Sequence, residues 1–349
     1  MEMKKLILLS GIFIMMLLLV NGCKKEETHD IQELEYQLGD NDQELPYQRK
    51  TWMGLVDGSL HINQITIPGT HDSGADKHTS NIHWTNLKRP WIICQDFSIP
   101  NQLNLGVRWL DIRLHFEDAD LKIYHGSNYL NKNFDYVLGH CINFLNDNPT
   151  ETIILMIKQE HPAVSEKLFS EQVYDHIENR GLYNFYLHDQ VPKLDDVRGL
   201  IYIVRRFHNE SGHSPFGVYA SWLNNTNGSF HSYNGIGWYV QDRYDLINED
   251  YLDKVEYVKK TIRYAHAEKY NTVFHLNFVS GYDICTLFTT ANELNPAIDN
   301  YVKGLDNDWT NCGVIMINFA GGGDVNSGSR NCVPHFVQHI LERNNGVPW

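Results

Sequence analysis

Short apolar, β-branched runs recur along the chain at Gln64–Ile67, Arg108–Leu114, Leu121–Tyr124, Thr152–Ile157, Leu200–Val204, Trp238–Gln241, Thr272–Phe278 and Val314–Phe319, each the length of a buried strand. Helical stripes lie between several of them. Phe134, Val137, Leu138, Cys141, Ile142 and Leu145 form one, which Asn148-Pro149 ends; Tyr251, Val255, Val258, Ile262 and Ala265 form another. A third runs from Pro334, suited to a first helical position, through Phe336, Val337, Ile340 and Leu341. Strand and helix in alternation imply a parallel sheet, closed as a (β/α) barrel or open and doubly wound. No GxGxxG or GxxxxGK[ST] follows the first strand, which removes the usual reason to prefer the open form.

The first fifty residues do not share this pattern. Met1–Lys5 is short and basic, Leu6–Val20 is apolar but too short for a comfortable membrane span, and Val20-Asn21-Gly22-Cys23 follows. The segment resembles a bacterial lipoprotein signal peptide, which would make Cys23 the lipidated first residue of the mature chain; cleavage without lipidation is the alternative. The division expected is therefore a leader over 1–22, a polar, acidic tether over 23–50 and one catalytic domain over 51–349. Such a protein is exported and lipid-anchored to the cell envelope, at the outer membrane; the charged start Lys24-Lys25-Glu26-Glu27 resembles export tags of surface lipoproteins.

With 349 residues, a single large barrel fits once leader and tether are set aside. The formal charge of −14 and pI near 5.6 argue against a nucleic-acid partner, although one locally basic cleft is still allowed. Without Cys23 the cysteines are Cys94, Cys141, Cys285, Cys312 and Cys332, an odd set that leaves at least one thiol free or paired between chains. Cys141 reads as a small core residue. A disulfide between Cys312 and Cys332, which bracket the last strand and its loop, is one option. No CxxC pair or metal-ligand spacing is present, and no cofactor is implied.

In barrels the chemistry sits at the carboxyl ends of the strands. Those positions read His71 and Asp72, Asp111 and Arg113, His125, Lys158, Arg206, Asp242 with Tyr244, and Asn318. Two histidines can serve as general base and acid, while an arginine fork meets phosphate oxygens bidentately. Such a set can open a phosphodiester without a metal.

Ile67–Gly74, Leu110–Arg113, Tyr124–Leu130, Asp147–Lys158, Leu200–Phe207, Val240–Tyr244 and His275–Ser280 together resemble the bacterial phosphatidylinositol-specific phospholipases C with an X-type catalytic domain, in order and with similar spacing from about Met53 onward. The resemblance implies an imperfect TIM-like (β/α) barrel in a single catalytic domain. By the same resemblance His71 takes the proton from the inositol 2-hydroxyl, His125 protonates the departing diacylglycerol oxygen, and Arg113, flanked by Asp72 and Asp111, neutralises the phosphorane. Lys158, Arg206 and Asp242 then hold the inositol hydroxyls and Tyr244 packs on the sugar face. The product is inositol 1,2-cyclic phosphate. Metal-dependent relatives hold calcium with carboxylates near this strand; Arg113 puts a fixed cation there, so no metal requirement is expected. Asn318 stands where the family generally has an aspartate on the base histidine, and Asp324 in the following glycine loop is a possible substitute.

Trp84, Leu87, Trp91, Ile92 and Ile93 fall where the family carries a short apolar helix at the barrel mouth, read either as a wedge touching the membrane surface or as a helix buried on the barrel. Two other classes stay open. A glycerophosphodiester phosphodiesterase would need a carboxylate-rich metal site, which Arg113 opposes. A non-catalytic, surface-attached binder of inositol lipids or inositol glycans would keep Lys158, Arg206, Asp242 and Tyr244, but has no need of both His71 and His125.

Overall fold

The computed structural model describes residues 47–79, 89–160, 164–232, 235–269, 272–322 and 335–344. The segment read as a leader, Cys23 and most of the segment read as a tether lie outside the described residues, as do Trp84, Leu87, Asp324 and Cys332. Tyr47–Lys50, still within the stretch read as tether, forms a helical turn on the body: Arg108 Nη2 donates to Lys50 O at 2.6 Å, and Arg49 to Gln338. Among the described residues no helix is long and apolar enough to cross a membrane.

Among the described residues twelve strands form one sheet: β1 (Ile67–Thr70), β2 (Trp109–Glu117), β3 (Asp120–His125), β4 (Asn128–Asn133), β5 (Ile153–Gln159), β6 (Phe185–Tyr186), β7 (Ile201–Arg205), β8 (Val218–Tyr219), β9 (Thr226–His231), β10 (Gly237–Asp242), β11 (Val273–Phe278) and β12 (Val314–Ile317). The central run, in spatial order β7-β5-β2-β1-β12-β11-β10, is parallel throughout. Nearly every side chain on these strands is buried, as expected of a parallel sheet covered on both faces. The sheet curls: Trp109 of β2 meets Trp238 of β10 edge-on at 6.5 Å between ring centres, and Phe274 of β11 stacks on Trp238 at 4.6 Å, although three strands separate β2 from β10. These three rings plug the amino end of the interior. Gly69 of β1 admits that plug, since a Cβ there would lie 2.2 Å from Met316 Sδ and 3.1 Å from Trp109 Cβ. The ring is imperfect. Among the described residues no ladder joins β6 or β8, which cover the far edge of β7, to the antiparallel edge strand β9.

The stripes read from the sequence are the helices Phe134–Asp147, Tyr251–Ala267 and Phe336–Leu341, with Asn133 and Asp250 side chains capping the first two. Helices Glu166–Asn179 and Leu287–Lys303 add to them. The first carries many charges and the second an internal Pro296, so neither shows a plain apolar stripe. The first strand lies three residues beyond the expected Gln64–Ile67, because Ile62–Gln64 closes a tight turn in which His61 N donates to Gln64 Oε1 at 2.9 Å. The last strand ends at Ile317, so Asn318 stands just past it. Tyr124–Leu130 is a hairpin, β3 turning at Gly126 (φ 56°) into β4.

Candidate active site

The turn after β1 delivers the first two groups. His71 N donates to Ile317 O, and Gln95 Nε2 donates to both His71 O and Ile317 O, so the backbone of His71 is tied to the end of β12. Asp72 follows at φ 47°, a left-handed conformation that aspartate tolerates better than most residues. Its own N–H donates to Asp111 Oδ2 at 3.1 Å, which binds the turn to β2. Asp111 and Arg113 are two apart on β2 and therefore share a face.

Arg113 is the hub. Its Nε and Nη2 donate to Asp111 Oδ2 at 3.2 and 3.1 Å; its Nη1 lies 3.3 Å from Asp72 Oδ2 and 3.4 Å from Glu160 Oε1; its Nη2 also lies 2.7 Å from His71 Nε2. On the other side of the ring, His71 Nδ1 is 2.9 Å from Asn318 Oδ1. An arginine only donates, so Nε2 must present its lone pair and Nδ1 its hydrogen, which the Asn318 oxygen accepts. Burial, then the Arg113 charge, push the His71 imidazole down to about 3, so it stands neutral and ready to accept a proton.

His125 ends β3 and faces Asp72 from the opposite side, its Nε2 3.6 Å from Asp72 Oδ2 and its Nδ1 2.7 Å from Ile92 O. Asp72 thus bridges Arg113 and His125. Both of its carboxylate oxygens are buried without a hydrogen bond, and burial pushes its pKa up to about 6 although Arg113 and His125 pull it down. Asp111 is equally buried, but Arg113, His71 and Arg206 together hold it below the usual carboxylate range. Two buried carboxylates, one in the turn after β1 and one on β2, are therefore shifted in opposite directions, burial prevailing at Asp72 and the neighbouring cations at Asp111.

The second half of the rim adjoins this cluster. Lys158 pairs in register with Arg113 across β5 and β2, and its Nζ donates to Glu160 Oε2 at 2.8 Å. Arg206, following β7, lays its guanidinium 3.6 Å from the centre of the Trp222 ring, whose Nε1 donates to Asp242 Oδ2 at 2.9 Å. Burial lowers the Arg206 pKa, while the charges of Asp242 and Asp111 raise it. Tyr244 lies beyond Asp242 with its ring nearly parallel to Tyr282 at 5.9 Å. The structure thus brings all the rim residues named from the sequence to one end of the barrel.

Several contributors escaped the sequence reading. Glu160 ties Arg113, Lys158 and the Gly126 N–H together; its place two residues after Lys158, just past the end of β5, was the available signal. Trp222 and Gln95 act through loops that no motif marks. Of the segment read either as membrane-facing or as buried on the barrel, Ile92 is buried, with its carbonyl under His125, whereas Trp91 beside it is exposed, its Nε1 donating to Cys285 O at 3.1 Å. The thiols also differ from one expected option. Cys312 is free and buried, which excludes its pairing with Cys332, and Cys285 is disulfide-bonded. Finally, Asp72, Cys94 and His125 each offer one ligand atom, all within 4.8 Å of one another, a set with no local sequence spacing to reveal it.

Comparison with known proteins bears on this geometry. Residues 65–207 match the family model described as phosphatidylinositol-specific phospholipase C, X domain. The 1-phosphatidylinositol phosphodiesterase of Staphylococcus aureus (strain Newman) is 28% identical over 289 residues, spanning 78% of this chain and 88% of the relative. The protein of the same name from Listeria monocytogenes is 32% identical over 169 residues, 46% of this chain and 50% of that one. A crystal structure of the Staphylococcus aureus phosphatidylinositol-specific phospholipase C superposes with a TM-score of 0.72 at 26% identity, over 86% of this chain and 98% of that chain. The Listeria monocytogenes enzyme shares the fold, with a TM-score of 0.67 at 23% identity over 85% of this chain and 99% of that one. The imperfect barrel, the X-domain match over residues 65–207 and relatives spanning most of both chains agree: the chain carries a phosphatidylinositol-specific phospholipase C X-domain match and is similar in sequence and fold to the bacterial enzymes of that name.

Proposed function

We propose that this protein cleaves phosphatidylinositol, or a related inositol phosphodiester such as a glycolipid anchor, to diacylglycerol and inositol 1,2-cyclic phosphate without a metal ion. The observation that carries the proposal is the line His71–Arg113–Asp72–His125, in which two histidines flank one guanidinium and one carboxylate. In this reading the incoming phosphate takes over the Arg113 Nη2 donor, a charge-assisted bond stronger than the one to a neutral imidazole. That exchange frees the His71 Nε2 lone pair, which removes the 2-hydroxyl proton while Asn318 holds the ring. The hydroxyl attacks within its own molecule, so a held ring supplies a near-attack geometry without recruiting water. His125 donates its proton to the leaving oxygen, with Asp72 beside the imidazolium. Lys158, Arg206 and Asp242 line the space for the ring hydroxyls, and Tyr244 offers an aromatic face.

The reading extends to the membrane. Trp91, Leu223, Ile247 and Ile284 are large, exposed and apolar, and follow strands β1, β8, β10 and β11 at the carboxyl end of the barrel. A rim of this kind would rest on lipid while a headgroup enters. Lipidation at Cys23 and export to the cell envelope complete the proposal and hold the barrel near its substrate.

Phosphorus NMR of the residue 47–349 domain with phosphatidylinositol in detergent micelles tests the chemistry. A cyclic phosphate resonance that later gives way to inositol 1-phosphate is the expected result. Direct release of phosphoinositol with no cyclic species overturns the mechanism, and binding without turnover favours the non-catalytic reading.

A further inference from the structure

Cys94 has no part in the reaction above, yet it lies inside the site. Its backbone is fixed on both sides, Cys94 N donating to Ala75 O at 2.8 Å and Phe319 N to Cys94 O at 2.8 Å, and its Sγ is 3.9 Å from His125 Nδ1. Asp72 is fully buried with neither carboxylate oxygen in a hydrogen bond, and its Oδ2 lies 3.6 Å from His125 Nε2. We propose that Asp72, Cys94 and His125 form an inhibitory site for a soft divalent cation of the zinc class.

The donor set argues for that chemistry. Thiolate, imidazole and carboxylate are the ligands zinc takes, and three protein ligands leave a fourth position for water. Zinc–ligand bonds of about 2.0–2.3 Å imply ligand–ligand distances of roughly 3.3–3.7 Å in a tetrahedron. The nearest contacts reach different ring nitrogens, Asp72 at 3.6 Å from Nε2 and Cys94 at 3.9 Å from Nδ1, so one cation takes one nitrogen; with one ligand atom per residue the set spans at most 4.8 Å, and closing it needs inward shifts on the order of 1 Å. The cation displaces the thiol proton to solvent, as ligation of cysteine always requires. Arg113, 3.3 Å from Asp72 Oδ2, opposes it. That repulsion suits an inhibitor that comes and goes better than a resident metal.

Inhibition follows from the ring. Whichever His125 nitrogen the cation takes, it occupies the place of one proton, and the doubly protonated imidazolium needed to protonate a leaving group can no longer form. This consequence rests on the reaction proposed above; the binding itself does not.

Cobalt(II) chloride added to metal-free full-length protein provides the binding test, because cobalt–thiolate coordination gives a charge-transfer band in the near ultraviolet. The band is expected in the wild type, zinc sulfate should bleach it, and zinc should inhibit turnover reversibly. Cys94→Ala and Cys94→Ser should lose the band and bind zinc at least about tenfold more weakly, given that loss of even an outer-shell partner costs about 10–100-fold. Their metal-free turnover should stay within a few-fold of wild type. Absence of a thiolate band in the wild type, or zinc inhibition undiminished in both folded variants, overturns the site. A chain that shows the band but cleaves no inositol phosphodiester supports the site and overturns the reaction instead.

Discussion

Arg113 Nη2 lies 2.7 Å from His71 Nε2, so in the proposed reaction the cation that meets the phosphate rests on the lone pair that takes the hydroxyl proton. The two functions are mutually exclusive until an anion draws Arg113 away. A base that is released only by the group it must act beside is protected from premature protonation, and the low His71 pKa, about 3, reflects burial together with that same proximity.

Arg113→Lys should therefore fail as a conservative change. One ammonium cannot span Asp111, Asp72, Glu160 and the His71 ring as the fork does. We expect kcat to fall by about 10²–10³, the usual cost of losing one preorganised donor to a developing anion. Excess chelator should not lower the wild-type rate, and calcium should not restore Arg113→Ala. A rate abolished by chelator and recovered with calcium would move this chain to the metal-dependent class.

His71→Ala and His125→Ala should each lower kcat by about 10²–10⁴, since each removes one proton transfer. Steady-state rates of the two single variants and the double variant settle the point. The combined loss should be smaller than the product of the two, because both residues serve one displacement. A folded double variant at near wild-type rate would remove both assignments.

The acidic limb of the pH profile should belong to Asp72. Burial raises its pKa to about 6, so the carboxylate beside His125 is charged above that pH and takes up a proton as pH falls through it. His71, near 3, stays neutral over the same interval. kcat/KM is expected to drop below about pH 6 in the wild type. In Asp72→Asn the plateau should be lower and that limb absent; an unchanged limb in this variant would assign it elsewhere.

Glu160→Gln should loosen two cations at once. Glu160 accepts from Lys158, Arg113 and the Gly126 N–H; burial works against its charge, yet these donors hold its pKa far below the usual carboxylate range. Losing a charged acceptor of this kind costs about 1.5–3 kcal/mol in thermal or denaturant unfolding. Asp72 and Asp111 still hold Arg113, so KM should rise more than kcat falls. The opposite split would make Glu160 part of the proton-transfer machinery.

The fold was largely legible from one rule, alternation of buried strand and amphipathic helix, because a parallel strand covered on both faces leaves a plain apolar run. It failed where that plainness fails. The helix Leu287–Lys303 is interrupted by Pro296, and the start of β1 was misplaced because the apolar Ile62 and Ile65 belong to a turn, not a ladder. The rim was legible for a related reason: His71, His125, Lys158 and Asp242 sit at or beside strand ends, and Arg113 lies near the end of the apolar run Arg108–Leu114, although β2 itself continues to Glu117. Glu160, Trp222, Gln95 and Cys94 were not singled out because their importance is a matter of which loop or neighbouring strand lies across from them. Ile92 shows the limit most clearly. Hydropathy alone cannot separate an apolar side chain that meets lipid from one whose carbonyl supports a histidine.

Asn318→Asp is the variant in which sequence and structure meet most directly. The amide oxygen is already 2.9 Å from His71 Nδ1, and Asn318 is buried just past the end of β12, with Asn295 Nδ2 donating to its carbonyl at 2.9 Å. The geometry an aspartate would need is thus in place, and only the charge is missing. A carboxylate there opposes both the burial and the Arg113 charge that depress the His71 pKa, so the pKa should rise from about 3. The imidazolium formed after proton abstraction gains most, and kcat should increase. The reverse exchange in the serine-protease triad lowers kcat by about 10⁴, which sets an upper bound here, because part of that loss reflects a wrong tautomer that His71 does not suffer. The acidic limb should also move to higher pH, as a more basic His71 begins to hold its proton within the working range. If the pH–rate profile of Asn318→Asp matches the wild type, the amide is no more than a tether for the ring. If Asp324→Ala alone causes a large loss, the carboxylate of the glycine loop already supplies the missing charge.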